Sequence, residues 1–246
     1  MLSPNVKYFL QNIRSKLNHI TGLDVSFYDL SHPFARLVRV LKHHEISVVL
    51  DIGAHTGQYA AHLRRNGYAG TIHSFEPLSS AFQILNQRSK KDKLWFSHQI
   101  ALGDSDSEES INISGNLASS SFLEMTSVHT SAVQTSSYVG TELAKVRKLD
   151  SIFSSIVGTN HKVFMKMDTQ GMEEKILRGA TNSLQYIDFI QAESSFVTLY
   201  QGEMLFIDFV QLMSEKGFQL RGVEQAFSDE VSGLGFQCDA LFQKKS

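Results

Sequence analysis

Two glycines and a scatter of acidic side chains carry the chemistry this sequence can do. Gly53 and Gly57 bracket a turn in V-V-L-D-I-G-A-H-T-G, residues 48–57, with Asp51 just ahead of it. A residue without Cβ lets the backbone approach a ligand closely and adopt φ > 0. Dinucleotide sites show G-x-G-x-x-G, whose second glycine makes room for a pyrophosphate. The spacing here, D-x-G-x-x-x-G, predicts a nucleoside site without a pyrophosphate cradle. Glu76, in H-S-F-E-P at 73–77, closes the next apolar stretch. A carboxylate at that place accepts hydrogen bonds from ribose hydroxyls. Further on, Asp168 ends V-F-M-K-M-D and Glu193 ends Y-I-D-F-I-Q-A-E. Each is placed to contact a ligand, to take a proton, or to join the other around a divalent cation.

These residues need strands to hold them. Val48-Val49-Leu50 is an apolar run suited to a strand buried on both faces, and Gln58–Arg65 reads as the helix after it. Strand Thr71–Phe75, helix Ser80–Ser89 with Ser79 as N-cap, and strand Leu94–Ile100 follow. A short strand at Val146–Leu149 leads into helix Asp150–Val157, with Asp150 as N-cap. Strand Lys162–Asp168, helix Met172–Ser183, strand Tyr186–Glu193 and the amphipathic helix Glu203–Lys216 come next. Phe218–Val223 and Gly235–Phe242 read as an antiparallel edge pair. The sum is an α/β fold with a doubly wound, mostly parallel seven-stranded sheet. In such sheets ligands bind beyond the carboxyl ends of the strands, beside the first glycine turn.

Residues 47–246 make this one domain, and residues 1–46 an N-terminal helical extension. In the extension Val6, Phe9, Leu10, Ile13 and Leu17 recur at helical spacing, and Pro33 opens a second helix carrying Phe34, Leu37, Val38 and Leu41. Residues 105–145 form an insertion of different texture. Between 105 and 141 lie eleven serines and four threonines, and Glu124 is the only charged residue from Ile111 to Thr141. Ile111, Ile113, Leu117, Phe122, Leu123, Met125 and Val128 make it too apolar for a solvated linker, so a hairpin around Ser114-Gly115-Asn116 and a polar loop lying over the ligand are expected.

Composition narrows the function. With 42% hydrophobic and 20% charged residues in 246, the chain is an ordinary globular protein. A net charge of −2 gives no footprint for nucleic acid. Cys238 is the sole cysteine, which removes intramolecular disulfides and cysteine-based zinc sites. No apolar run is long enough to span a bilayer, and the first residues lack a signal-peptide core, so a cytoplasmic location is expected.

The glycine turn and F-E-P resemble the first two motifs of class I S-adenosylmethionine-dependent methyltransferases. Residues 163–180, V-F-M-K-M-D-T-Q-G-M-E-E-K-I-L-R-G-A, resemble the K-[ILM]-D-x-[EQ]-G-x-E signature of the FkbM family, and A-L-G-D at 101–104 and K-L-D at 148–150 are similar to its pattern. The resemblance runs from about Val48 to Phe242. It implies S-adenosylmethionine as methyl donor, held by Asp51, Gly53, Ala54, His55, Thr56, Gly57, Glu76, Pro77, Ala101, Leu102 and Asp168. It implies Asp168, Glu193 and, from the polar loop, His129 as candidates for the chemistry, with no metal assigned. Where the family often has a glutamate this chain has Gln170, which weakens the case for a divalent cation. The implied reaction is O-methylation of a hydroxyl on a sugar, polysaccharide or secondary metabolite, with an N-methyltransferase or a catalytically silent nucleoside-binding relative as alternatives. A dinucleotide oxidoreductase is opposed by the missing G-x-G-x-x-G. The partner is then a small-molecule or glycan acceptor, and the N-terminal extension can cover the sheet, line the acceptor pocket or form a homodimer contact.

Overall fold

The computed structural model describes residues 32–229 and 231–245, with five single positions ahead of them. The helix expected on Val6, Phe9, Leu10, Ile13 and Leu17 lies largely outside the described residues. Helix α1 (Pro33–His43) has proline at its first turn, where the missing N–H costs nothing. Strand β1 (Val48–Ile52) is buried at every position. Helix α2 (Gln58–Arg65), β2 (Thr71–Phe75), α3 (Ser79–Ser89) and β3 (Trp95–His98) follow. Next come β4 (Ala101–Leu102), β5 (Ser107–Ser114), α4 (Ser127–Ala132), β6 (Tyr138–Arg147), α5 (Leu149–Ile156) and β7 (Val163–Met167). The chain closes with α6 (Glu173–Arg178), β8 (Ile187–Ser195), α7 (Phe206–Glu215), β9 (Phe218–Ser228) and β10 (Gly235–Lys244).

Among the described residues the main sheet has seven strands in the order β3-β2-β1-β7-β8-β10-β9. β10 runs antiparallel to β8 and β9, and the other pairings are parallel. The order reverses between β1 and β7, so the crevice for a ligand opens beside the turn after β1. One face of the sheet packs Leu50, Met165 and Ile190 against the α5, α6 and α7 side. The other packs Val49, Phe164 and Phe189 under α1, α2 and α3. Among the described residues no helix is long and apolar enough to cross a membrane.

Several boundaries differ from the sequence reading, each for a local reason. Ser79 is the first residue of α3 rather than its cap. Its N–H and hydroxyl bind the Glu142 carboxylate on β6, and Leu78 takes the cap position without a side-chain bond. Asp150 lies inside the first turn of α5, where its carboxylate accepts from the Asn182 and Ser183 N–H groups and the Ser183 hydroxyl. The helix expected to run to Ser183 ends at Arg178, and the Gly179 that follows packs on the Gly103 carbonyl so closely that a Cβ would stand 1.8 Å from it. The strand expected to run to Ile100 stops at His98. Ala101 and Leu102 instead join β6 in a separate three-stranded sheet, β4-β6-β5.

The serine-rich stretch is more regular than its composition suggests. β5 and β6 pair antiparallel over most of their length, and Asn112 bridges back to Ser121 around the Ser114–Asn116 turn. The hydroxyls close this turn themselves. Ser114 and the Ser119 N–H donate to Asn116 Oδ1 at 2.8 and 3.0 Å, and the Ser120 hydroxyl donates to the Leu117 carbonyl at 2.7 Å.

Candidate active site

The loop after β1 is shaped by contacts that tolerate no side chain. The Gly53 and Ala54 N–H groups both donate to the Phe75 carbonyl at the end of β2, at 3.1 and 2.9 Å. Gly53 has φ +73°, and a Cβ there would lie 1.9 Å from the Asp168 carbonyl oxygen at the end of β7. The loop is thus pressed between the tips of two strands. Glu76 is buried beneath it, its Oε2 accepting from the His55 N–H at 2.8 Å and its Oε1 from the Leu78 N–H at 2.9 Å. Burial pushes the Glu76 carboxyl up to about 7, against the pull of those two amides. Beside it opens a cavity of about 340 Å³ with Ala101, Leu102, Ile111 and Phe122 as an apolar wall and Glu76 and Asp168 as polar margins. An apolar slot next to a carboxylate suits a heterocycle joined to a diol.

A second, larger cavity of about 560 Å³ adjoins the first, sharing Gly53, His55, Gln58, Asp168 and Glu193 with it. Its origin is in the strand pattern. On the face toward α1 and α2, the inner ends of β1, β7 and β8 present Val49, Phe164 and Phe189. Two residues on, the same face presents Asp51, Lys166 and Gln191. Since side chains two apart share a face, the sheet changes from apolar to polar along its length. An apolar helix face cannot seal that polar half, and a cleft remains under Phe34, Leu37 and Tyr59.

Lys166 is the centre of the polar half. It is 6% exposed, and its Nζ stands 3.2 Å from the Gly53 carbonyl, 3.3 Å from Asp168 Oδ2 and 3.6 Å from Asp51 Oδ1. It also lies 5.3 Å from the centre of the Tyr59 ring. Burial alone would lower its proton affinity, but Asp168 and Asp51 hold it above the ordinary lysine value. Asp51 is fully buried and its carboxyl is raised by that burial, with Lys166 opposing. Its Oδ2 accepts from the Ser74 hydroxyl at 2.9 Å, which in turn accepts from the Trp95 indole N–H at 2.9 Å.

Asp168 and Glu193 stand on the wall common to both cavities. Burial works to raise the Asp168 carboxyl, yet Lys166 and the Gln170 amide outweigh it and hold it below the ordinary range. Glu193 is raised well above it, by burial and then by Asp168, Asp239 and Glu173. Asp239 sits directly opposite Glu193 across β10, and Glu224 opposite Asp239 across β9. Like charges in register are destabilising in a sheet. Burial raises Asp239 to about 6, and Glu224 is answered by Arg36 of α1 at 2.5 Å. Among the described residues no group of three or more His, Cys, Asp or Glu is placed to hold a metal ion.

The expected site residues fall into three sets. Gly53, His55, Glu76, Pro77, Ala101, Leu102, Asp168 and Glu193 line the first cavity, and Ala54 the second. Asp51, Thr56 and Gly57 line neither: Asp51 lies under the loop, the Thr56 carbonyl accepts from Arg88, and Gly57 packs on Trp95 and takes the cap position before α2. His129 is apart from both cavities, buried edge-on against the Tyr200 ring at 5.1 Å. The sequence reading missed Lys166, Gln191 and Asp239. A signal existed for each: a charged or amide residue in mid-strand, within an otherwise largely apolar run.

The fold and the glycine–carboxylate crevice define a class I methyltransferase. Residues 51–220 match the methyltransferase FkbM domain, and the chain belongs to that family. It is an S-adenosylmethionine-dependent methyltransferase. A candidate O-methyltransferase from Klebsiella pneumoniae is similar in structure, with a TM-score of 0.51 at 14% identity over 100% of this chain and 92% of that one. That similarity shows a shared fold. Magnesium protoporphyrin IX methyltransferase from Synechocystis with bound S-adenosylmethionine aligns at 9% identity and TM-score 0.48, over 87% of this chain and 78% of that one. 1,6-Didemethyltoxoflavin-N1-methyltransferase from Burkholderia thailandensis aligns at 12% and 0.47, over 100% and 92%. No sequence among curated proteins matches.

Proposed function

We propose that the chain methylates a hydroxyl oxygen of a sugar, a glycan or a related secondary metabolite, with the donor in the first cavity and the acceptor in the second. The observation that carries this reading is the position of Asp168 and Glu193 on the wall where the two cavities meet. The donor would be held by the Gly53–His55 loop, by Glu76 at the ribose and by Ala101 and Leu102 at the adenine. When bound it supplies a methyl group on a sulfonium sulfur, which leaves with the electrons of the broken bond. The protein must then align the acceptor oxygen with that bond, and alignment of this kind supplies several kcal/mol, about 7–11 in favourable cases.

A hydroxyl acceptor also has to lose its proton as its oxygen bonds to the methyl carbon. Glu193 fits the role of base, because burial and the neighbouring acids give its carboxylate a proton affinity well above that of an ordinary one. Asp168, ionised and held by Lys166, fits the role of orienting group at the donor's methionine end. His129 has no place in this set. The second cavity supports a polyhydroxylated acceptor: Arg36, Gln191, Asp239 and Glu224 offer both donors and acceptors, and Phe34 and Tyr59 an apolar wall.

Isothermal titration tests the donor half. Micromolar binding of S-adenosylmethionine and S-adenosylhomocysteine, weakened roughly tenfold or more in Glu76→Ala, is expected. A screen of sugars, glycans and amines with mass analysis of the product tests the acceptor half. A methyl ether is the expected product; methylation confined to amines overturns the oxygen reading.

A further inference from the structure

Gln170 is held more tightly than a residue lining a donor cavity requires. Its backbone is in the left-handed region at φ +56°, which costs a non-glycine residue about 1–2 kcal/mol. Strain of this kind persists only where the surroundings over-determine it, and it clusters at functional sites. The strained turn is clamped from outside: the Ser121 hydroxyl donates to the Gln170 carbonyl at 2.7 Å, and Leu123 and Glu203 crowd the following Gly171.

The clamp aims the side chain. The Tyr200 hydroxyl donates to Gln170 Oε1 at 2.7 Å, and Gln170 Nε2 donates to Asp168 Oδ1 and to Glu193 Oε2, both at 2.9 Å. The two carboxylates fix which end of the amide faces them, since a reversed amide would set its carbonyl oxygen against both, and the Tyr200 hydroxyl, which also reaches the Ser119 carbonyl at 3.1 Å, supports the other end. Gln237 donates to the same Glu193 oxygen at 3.0 Å. Glu193 Oε2 thus takes both amide hydrogen bonds, and Oε1 takes neither.

We propose that Gln170, supported by Tyr200, is a positioning residue that divides the work of the two carboxylates, anchoring Asp168 and Glu193 Oε2 and leaving Glu193 Oε1 to receive the acceptor's proton. This rests on the hydroxyl-methylation reading for the proton's source; the control of Glu193 itself does not. The charged and titratable groups around Glu193 are Asp168 and Lys166 from β7, Asp239 from β10 and Glu173 from α6, with Tyr200 behind the amide. Three of these are acids that already oppose ionisation of Glu193. Gln170 supplies the neutral donor that tempers them at close range, and a glutamate in its place would add a fourth carboxylate.

The test compares wild type with Gln170→Met, Gln170→Glu and Tyr200→Phe, each checked for folding by its melting curve and by binding of S-adenosylhomocysteine. Carboxyl NMR titration of protein labelled with ¹³C-glutamate, assigned with Glu193→Gln, reads Glu193 without any acceptor. Its titration is expected to move up by about one pH unit in Gln170→Met and further in Gln170→Glu, with a smaller move in Tyr200→Phe. Methyl transfer to a hydroxyl acceptor should show the acid limb of kcat displaced in the same order, about tenfold lower at neutral pH in Gln170→Met and regained at higher pH. Unmoved Glu193 titration in folded Gln170→Met overturns the proposal, and if that variant does not fold, an unmoved titration in Tyr200→Phe overturns it instead. Loss of kcat by an equal factor at every pH also overturns it. A moved titration with no transfer to any hydroxyl leaves Gln170 as proposed and removes the oxygen acceptor instead.

Discussion

Replacing Lys166 by Met isolates the electrostatic core of the site from its catalytic surface. Methionine keeps the length and apolar stem of the side chain, so the change is chiefly the loss of one buried positive charge. Asp51 is 0% exposed, and Lys166 is the cation beside its Oδ1. The Ser74 hydroxyl still serves Oδ2, so the carboxylate keeps one hydrogen bond and loses its counter-charge. Removing one member of a buried ion pair costs about 3–5 kcal/mol. The Gly53 carbonyl loses a donor as well, worth about 1 kcal/mol. Asp168 is partly exposed and water can take up its share. For a chain of this size, a loss of about 3–5 kcal/mol corresponds to a fall in Tm of roughly 6–20 °C.

The sign of the pH dependence follows from Asp51. Its folded pKa is already raised by burial, and without Lys166 nothing comparable opposes that rise. An acid with a raised folded pKa binds protons more tightly when folded, so its destabilising effect grows as pH rises through that pKa. The gap between wild type and Lys166→Met should therefore narrow as the pH is lowered. Urea unfolding at several pH values measures it, with the midpoint shift taken at constant m. Adding Asp51→Asn should restore most of the loss, because the uncompensated charge is then gone. A Lys166→Met variant within about 1 kcal/mol of wild type at neutral pH, or one that Asp51→Asn does not rescue, would refute the reasoning.

Two further outcomes test the loop and the far edge of the sheet. Gly53→Ala should abolish donor binding while leaving a folded chain, since its Cβ would force the loop off the Asp168 carbonyl at a backbone angle alanine resists; titration with S-adenosylhomocysteine and a melting curve separate the two effects, and near-native affinity counts against the loop geometry. His73 on β2 bonds His98 at 3.0 Å and stacks on Phe96, and burial lowers its pKa to about 4. The unfolded chain then binds the proton first, so this residue's contribution to stability is lost as pH falls from about 6.5 toward 4, by at most about 3 kcal/mol. The stability of His73→Phe relative to wild type should improve over that interval, and parallel pH curves would sink the assignment.

The proposed donor half is legible in the sequence because its residues sit in short contiguous runs. Gly53 and Gly57 announce a turn that only glycine can make, Glu76 follows the very next strand, and β1 and β7 are largely apolar segments that propose their own burial. Ser79 and Asp150 resemble caps without being caps, for a physical reason. Short polar side chains at helix starts also serve partners distant in sequence, here Glu142 for Ser79 and Ser183 for Asp150. β6 is recognisable only at its end, because most of its outward positions are exposed and its pattern resembles a loop.

The proposed acceptor half is harder to read because its charged pairs join residues far apart in the chain. Asp51 meets Lys166 across β1 and β7, Glu193 meets Asp239 across β8 and β10, and Glu224 meets Arg36 from α1. Only strand order and register bring them to one face, and a one-residue slip in β10 would exchange Asp239 for Cys238 or Ala240, which point to the opposite face. That dependence has a consequence for acceptor specificity. Substitutions in α1 and in the β9–β10 pair can change the lining of the second cavity while β1, β2 and the Gly53–Gly57 loop stay intact. On the proposed assignment of the two cavities, donor binding and acceptor choice are separable: the first depends on local turns, the second on long-range register. A swap of Arg36 and Glu224 that preserves their ion pair should alter which acceptors are used without moving the affinity for S-adenosylhomocysteine.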